Sequence, residues 1–307
     1  VRIDVHAHYY PQNVLDELAR LGSPRGYTGP SGGLTVAQRL ELMDEAGIAV
    51  QVLSIGVGQP YLPEVEKARA GARCANDAYQ DIVERSGGRF AAFGCLPLPH
   101  VDAALAETAY CLDELGMAGL NLGCSVAGRP LEDPAFEPLW AELNRRRAVV
   151  FLHPLGVGGP FIDAFGLEMM VGSRFEDTIC AVRLVLSGLT RRFPDVRIIV
   201  PHLGGTIPYL WERIEESGSR RSDVRPQEEF KRLYYDSVNK TPAALRCFCE
   251  TVGADRLMLG TDFPYVTRPQ FLEYVSYIEA SDLAPEQVSA ILDRNAQELL
   301  RLPERKT

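Results

Sequence analysis

The chain has 307 residues, 46% hydrophobic and 24% charged, which is the balance of an ordinary globular protein with a sizeable core. Its 32 basic and 41 acidic residues give a formal net charge of −9, which excludes a broadly basic face for nucleic acid or anionic membrane. A small anionic ligand is still compatible with that charge, because one metal ion or one arginine reverses the sign locally.

Eight short β-branched or apolar runs follow one another, at residues 3–8, 50–55, 90–96, 119–122, 149–153, 197–202, 233–237 and 257–262. The first, inside VRIDVHAHYYP, reads as a strand and not as a secretion signal. Longer stretches with helical spacing lie between them. VAQRLELMDEAG puts Leu40, Met43 and Ala46 on one face and stops at Gly47. VDAALAETAYCLDELG ends at Gly116. In DPAFEPLWAELNRRRA, Asp133 caps and Pro134 takes the first turn. Residues 22–33, rich in Gly, Pro and Ser, read as a loop, either a lid or insertion at the barrel mouth or a plain surface loop. Residues 217–227 are polar and arginine-rich and read as an exposed loop.

Strand alternating with helix eight times predicts parallel βα units closed into an α/β (β/α)₈ TIM barrel, one domain over residues 1–307. No GxGxxG or GxxxxGK[ST] follows any strand, so a nucleotide-binding fold has no support, and no organic cofactor is expected. No apolar run reaches the roughly eighteen residues that a membrane-spanning helix needs. Seven scattered cysteines, Cys95, Cys124 and Cys180 among them in apolar runs, read as reduced, buried thiols of a cytoplasmic protein. Cys247 and Cys249 are too closely spaced for a zinc knuckle.

Of the five histidines, four fall at the C-terminal ends of three predicted strands, where barrel enzymes place their chemistry. His6 and His8 are two apart on one strand and so point to the same side. His153 closes AVVFLH, and His202 closes RIIVPH ahead of two glycines that let backbone approach closely. Asp262 closes LMLGTD, and a carboxylate at the end of an apolar strand needs a partner such as a divalent metal. Imidazole and carboxylate donors suit Zn²⁺ best and Mn²⁺ or Fe²⁺ next. His100, at a helix start, reads as a surface or capping residue.

The ordered motifs IDVHAH, FLHP, VPHLGG and LGTDFP resemble the amidohydrolase superfamily. LELMDEAGIAVQVLS, LEDPAFEPLWAELNRRRAVVFLHP and RFEDTICAVRLVLSGLTRRFPDVRIIVPHLGG extend the resemblance over essentially the whole chain. They are most similar to the branch of 2-amino-3-carboxymuconate-6-semialdehyde decarboxylase, which includes 6-methylsalicylate and γ-resorcylate decarboxylases. The resemblance implies one divalent metal held by His6, His8, His153 and Asp262, with His202 beside the metal-bound water. It also implies a homodimer in which Arg213 reaches the neighbouring subunit's site and binds a substrate carboxylate. A second substrate arginine has no clear counterpart; Arg25 is a loose candidate.

Two absences narrow the reading. GLNLGCS offers no lysine or glutamate to bridge a second metal, and no HxxE follows strand five. Both favour non-oxidative decarboxylation of a small aromatic or carboxymuconate-type acid, with His202 and Asp262 moving the proton. A hydrolase of amides or lactones, or a hydratase, could use the same metal and water. A non-catalytic protein keeping an old metal site is the third reading. Tyr9, Tyr10, Cys124, Phe165 and Phe263 are candidate pocket liners.

Overall fold

A computed structural model describes residues 1–23, 34–156 and 158–302. Eight parallel strands pair in chain order: β1 (Ile3–His8), β2 (Val50–Ser54), β3 (Phe90–Cys95), β4 (Gly119–Gly123), β5 (Val149–His153), β6 (Arg197–Val200), β7 (Tyr234–Asp236) and β8 (Leu257–Met258). The last strand returns to the first through main-chain bonds: Val5 N–H donates to Leu259 O (2.9 Å), Asp262 N–H to His6 O (2.8 Å) and His8 N–H to Phe263 O (2.6 Å). The result is the expected barrel of eight parallel strands. The mouth loop expected at 22–33 falls, from residue 24 onward, outside the described residues, and Arg25 with it.

Period two along the strands stacks chemistry on packing. Phe151 lies two residues before His153, and Phe93 and Phe151 stack at 5.4 Å beneath the His6 ring, itself 4.8 Å from Phe151. Val50, Val52, Val149 and Ile199 fill the same buried cluster. An irregularity between Asp4 and Ala7 shifts the β1–β2 register, a device that re-aims side chains near sites.

The expected helices form. Thr35 and Gln38 make a reciprocal cap at the start of Val36–Glu45. Asp133 accepts from Ala135 N–H ahead of Pro134, and the helix Glu137–Arg146 follows. Residues 217–227 are not one loop: they hold the end of helix Trp211–Gly218 and the start of helix Pro226–Phe230. Two strands end well before the side chains expected to close them, His202 and Asp262. The strand at 197–200 stops because Pro201 lacks an N–H and His202 (φ 59°) is left-handed, whereas Asp262 (φ 55°), left-handed too, lies beyond its regular strand yet stays bonded to β1 through its N–H. All seven cysteines are free thiols, and four are buried. Among the described residues no helix is long and apolar enough to cross a membrane.

Candidate metal centre

His6, His8, His153 and Asp262 converge, with one donor atom from each lying within 4.8 Å of the others. His6 Nε2 is 3.1 Å from His8 Nε2, and Asp262 Oδ1 is 3.2 Å from each. Nitrogens bonded to one ion at about 2.0–2.1 Å sit roughly 3.0–3.4 Å apart, so the spacing fits a shared cation.

The imidazoles are oriented from behind. His6 Nδ1–H donates to Asp236 Oδ2 at 2.7 Å, His8 Nδ1–H to Ser54 Oγ at 2.8 Å, and His153 Nδ1–H to the Pro154 carbonyl at 2.8 Å. Ser54 Oγ in turn donates to Ala7 O (3.4 Å), which leaves its lone pairs for His8. Each ring therefore turns Nε2 inward, the support that ligating histidines need. His153 Nε2 is buried without a hydrogen-bond partner, a cost that a metal bond would remove. Three imidazoles and a carboxylate fit a single divalent ion.

The electrostatics agree with that donor set. Burial above all, helped by neighbouring positive charge, lowers His8 to about 4 and takes His153 well below the ordinary imidazole range, so both are neutral. Burial opposes a charged His6 too, but the Asp236 and Asp262 carboxylates push it up to about 10. Asp262, despite burial, is held well below the carboxylate range by the His6 charge beside it.

His202 stands at the edge of this cluster. Its Nδ1–H donates to Asp177 Oδ2 at 2.7 Å, and its Nε2 is buried, unpartnered and 3.5 Å from Asp262 Oδ2. Its backbone N–H donates to Asp236 Oδ1 at 2.9 Å, so Asp236 holds His6 with one oxygen and His202 with the other. His202, Leu203 and Asp262 all have φ between 55° and 59°, strain of about 1–3 kcal/mol each that persists only where surroundings enforce it.

Other candidates lie elsewhere. Arg213 is exposed on helix Trp211–Gly218 and makes no ion pair among the described residues. His100 begins a helix, but its ring bonds the Leu62 carbonyl (3.0 Å) instead of capping. Phe263 is core, packed on Phe271 and Arg39, and Phe165 is 91% exposed. Tyr9 packs near Arg39. Tyr10 shares a 2.6 Å hydrogen bond with Tyr265, whose ring is 5.2 Å from His8. Cys124 Sγ is 3.8 Å from Asp177 Oδ1.

Sequence reasoning missed Asp236 and Asp177. Asp236 ends β7 as Asp262 follows β8, and the same strand-exit rule applied to YYDSVN would have found it. Asp177 lies on helix Ser173–Leu186, where adjacent acids Glu176 and Asp177 interrupt a largely apolar stretch. That oddity was its only signal.

A parallel barrel with histidines and an aspartate buried at its strand exits defines a class of metal-binding barrel proteins. The chain belongs to the amidohydrolase family, whose sequence profile matches residues 3–302. It is 29% identical to a 6-methylsalicylic acid decarboxylase of Penicillium expansum, over 96% of this chain and 94% of that one. It is 31% identical to a γ-resorcylate decarboxylase of Rhizobium radiobacter, over 86% of each. The fold matches a dihydroxybenzoic acid decarboxylase of Polaromonas sp. JS666, solved with bound manganese and the inhibitor 2-nitroresorcinol (TM-score 0.86, 22% identity, 98% and 97% of the two chains).

Proposed function

We propose that this protein is a metal-dependent decarboxylase that removes CO₂, without oxidation, from a small aromatic hydroxy acid or a carboxymuconate-semialdehyde-type acid. His6, His8, His153 and Asp262 hold one divalent ion, Zn²⁺ or Mn²⁺. The observation that carries the reading is His202, clamped through Nδ1 by Asp177 and presenting an unpartnered Nε2 beside the cluster. The decarboxylase relatives support it at family distance.

A bound divalent ion supplies Lewis acidity toward substrate oxygens and fixes their place. The chain's own residues move the proton. His202 Nε2–H protonates the ring carbon that bears the carboxylate, while Nδ1–H stays with Asp177. That carbon becomes sp³, its bond to the carboxylate breaks, the electron pair returns to the ring and CO₂ leaves. The balance is one proton in and one CO₂ out, and His202 recovers its proton from solvent. Asp262, 3.5 Å from His202 Nε2, is placed to assist that return. Arg213, exposed on its helix, would serve a substrate carboxylate in the partner site of a homodimer.

The test is metal analysis joined to CO₂ release over hydroxybenzoates, methylsalicylates and carboxymuconate semialdehydes. His202→Asn is expected to keep its metal and lose turnover; full activity in that variant would remove the acid–base role. Consumption of an amide, lactone or hydratable diene with no CO₂ would instead establish the hydrolase or hydratase reading.

A further inference from the structure

We propose that Arg174 also grips the substrate carboxylate, from within the same chain as His202; this rests on the aromatic-acid reading above.

Arg174 sits in the first turn of helix Ser173–Leu186, and its Nη2 lies 3.9 Å from Asp262 Oδ2, the same oxygen that His202 Nε2 approaches at 3.5 Å. At 3.9 Å the contact to Asp262 is electrostatic, too long for a hydrogen bond. The one hydrogen bond of the guanidinium among the described residues runs from Nη1 to Ser173 Oγ (3.0 Å). Its Nε and Nη2 hydrogens therefore have no acceptor there. The side chain is 34% exposed, so the fork meets both the cluster and open solvent. Other charged or titratable groups that feel it are Asp177, one turn along the helix, and Tyr274.

The backbone that carries the fork is held in register with His202. The Arg174 carbonyl accepts from Thr178 Oγ1 (2.8 Å), and that same Oγ1 accepts from Thr206 N–H (2.8 Å). Gly205 lets the two segments touch, since a Cβ there would stand 2.3 Å from Arg174 O. Arg174 and His202 thus ride on one clamped unit and address one point. A planar guanidinium with free hydrogens recognises a carboxylate bidentately. An acid seated there meets its anion grip and its proton donor together. After CO₂ leaves, the grip has nothing to hold and the neutral phenol departs.

The test compares binding of 2-hydroxybenzoate and phenol to Zn²⁺-loaded protein by calorimetry, for wild type and Arg174→Gln. Loss of the charged contact is expected to weaken 2-hydroxybenzoate by about 10- to 100-fold and leave phenol affinity and zinc content unchanged. If both ligands weaken alike, Arg174 serves only to support Asp262 and the proposal fails; it fails equally if neither changes. Should Arg174→Gln not fold, Arg174→Lys is measured in its place, because it keeps the charge and loses the fork, and the same comparison decides. A wild type that binds neither ligand would overturn the aromatic-acid reading itself, a result distinct from a wild type that binds and a variant that binds equally well.

Discussion

Asp177 Oδ2 accepts the Nδ1–H of His202 at 2.7 Å, with both side chains buried, and so fixes the one ring nitrogen that can exchange a proton with a ligand. Asp177→Asn keeps the shape but offers an amide that can stabilise the opposite tautomer. Turnover should fall by about 10²- to 10⁴-fold with metal content intact. Steady-state kinetics beside metal analysis checks this, and a loss under threefold would show that tautomer control is unimportant here.

Asp236 predicts a different pattern. In Asp236→Asn the retained Oδ1 can still accept from His202 N–H and Val238 N–H, at 2.9 and 3.0 Å in the wild type. The new amide faces His6 Nδ1 in place of a carboxylate oxygen. Metal affinity should drop by about 10- to 100-fold, read by competition with a chelator. Unchanged affinity would mean that His6 needs no carboxylate behind it.

Metal uptake should release a proton. With its pKa pushed up to about 10 by Asp236 and Asp262, His6 carries an extra proton in the metal-free protein at pH 8, whereas His8 and His153 are neutral. A raised pKa means that this proton is held across the interval above the ordinary imidazole value and lost only toward pH 10. Metal affinity should therefore rise with pH through that interval. Titration calorimetry in buffers of different ionisation heat should give about one proton per metal at pH 8; heats independent of buffer would contradict it.

Gly205→Ala should destabilise the fold and the site together. Its φ is +63°, and a Cβ would meet Arg174 O at 2.3 Å and Thr178 Oγ1 at 2.4 Å. Left-handed backbone costs alanine about 1–2 kcal/mol even at its best ψ; the ψ of −115° here is worse, and the clash with backbone adds to it. Gly116→Ala, also left-handed but with nothing within 4 Å, supplies the comparison. Thermal unfolding should show the larger drop in Tm at Gly205; equal drops would mean that the close approach there is relaxed cheaply.

The barrel was legible because short apolar runs and helical stretches alternate eight times from Ile3 to Asp262, with only the Gly-, Pro- and Ser-rich residues 22–33 breaking the rhythm. The cluster was legible because chemistry-bearing side chains stood at apolar run ends, as His153 and Asp262 do. What escaped was held by tertiary contact. Asp177 reaches His202 across 25 positions of sequence, and no local pattern encodes that pairing. Arg174 reads as a surface helix residue until the turn after β8 brings Asp262 to it. The early end of β6 was hidden for a similar reason: RIIVPHL reads on past Val200, where Pro201 and the left-handed His202 stop the ladder.

The placement of His202 and Asp262 on left-handed backbone beyond their regular strands separates two properties that protein engineers usually find entangled. The frame is fixed by strand pairing and by the Phe93–Phe151 stack below, while two key reactive side chains are carried on short turns above it. Combinatorial libraries in the turns 201–206 and 260–265 that spare Gly205, Gly260, Asp262 and Phe263 should therefore explore reactivity over an intact scaffold. Changes that harden the barrel floor should raise heat tolerance without retuning the chemistry.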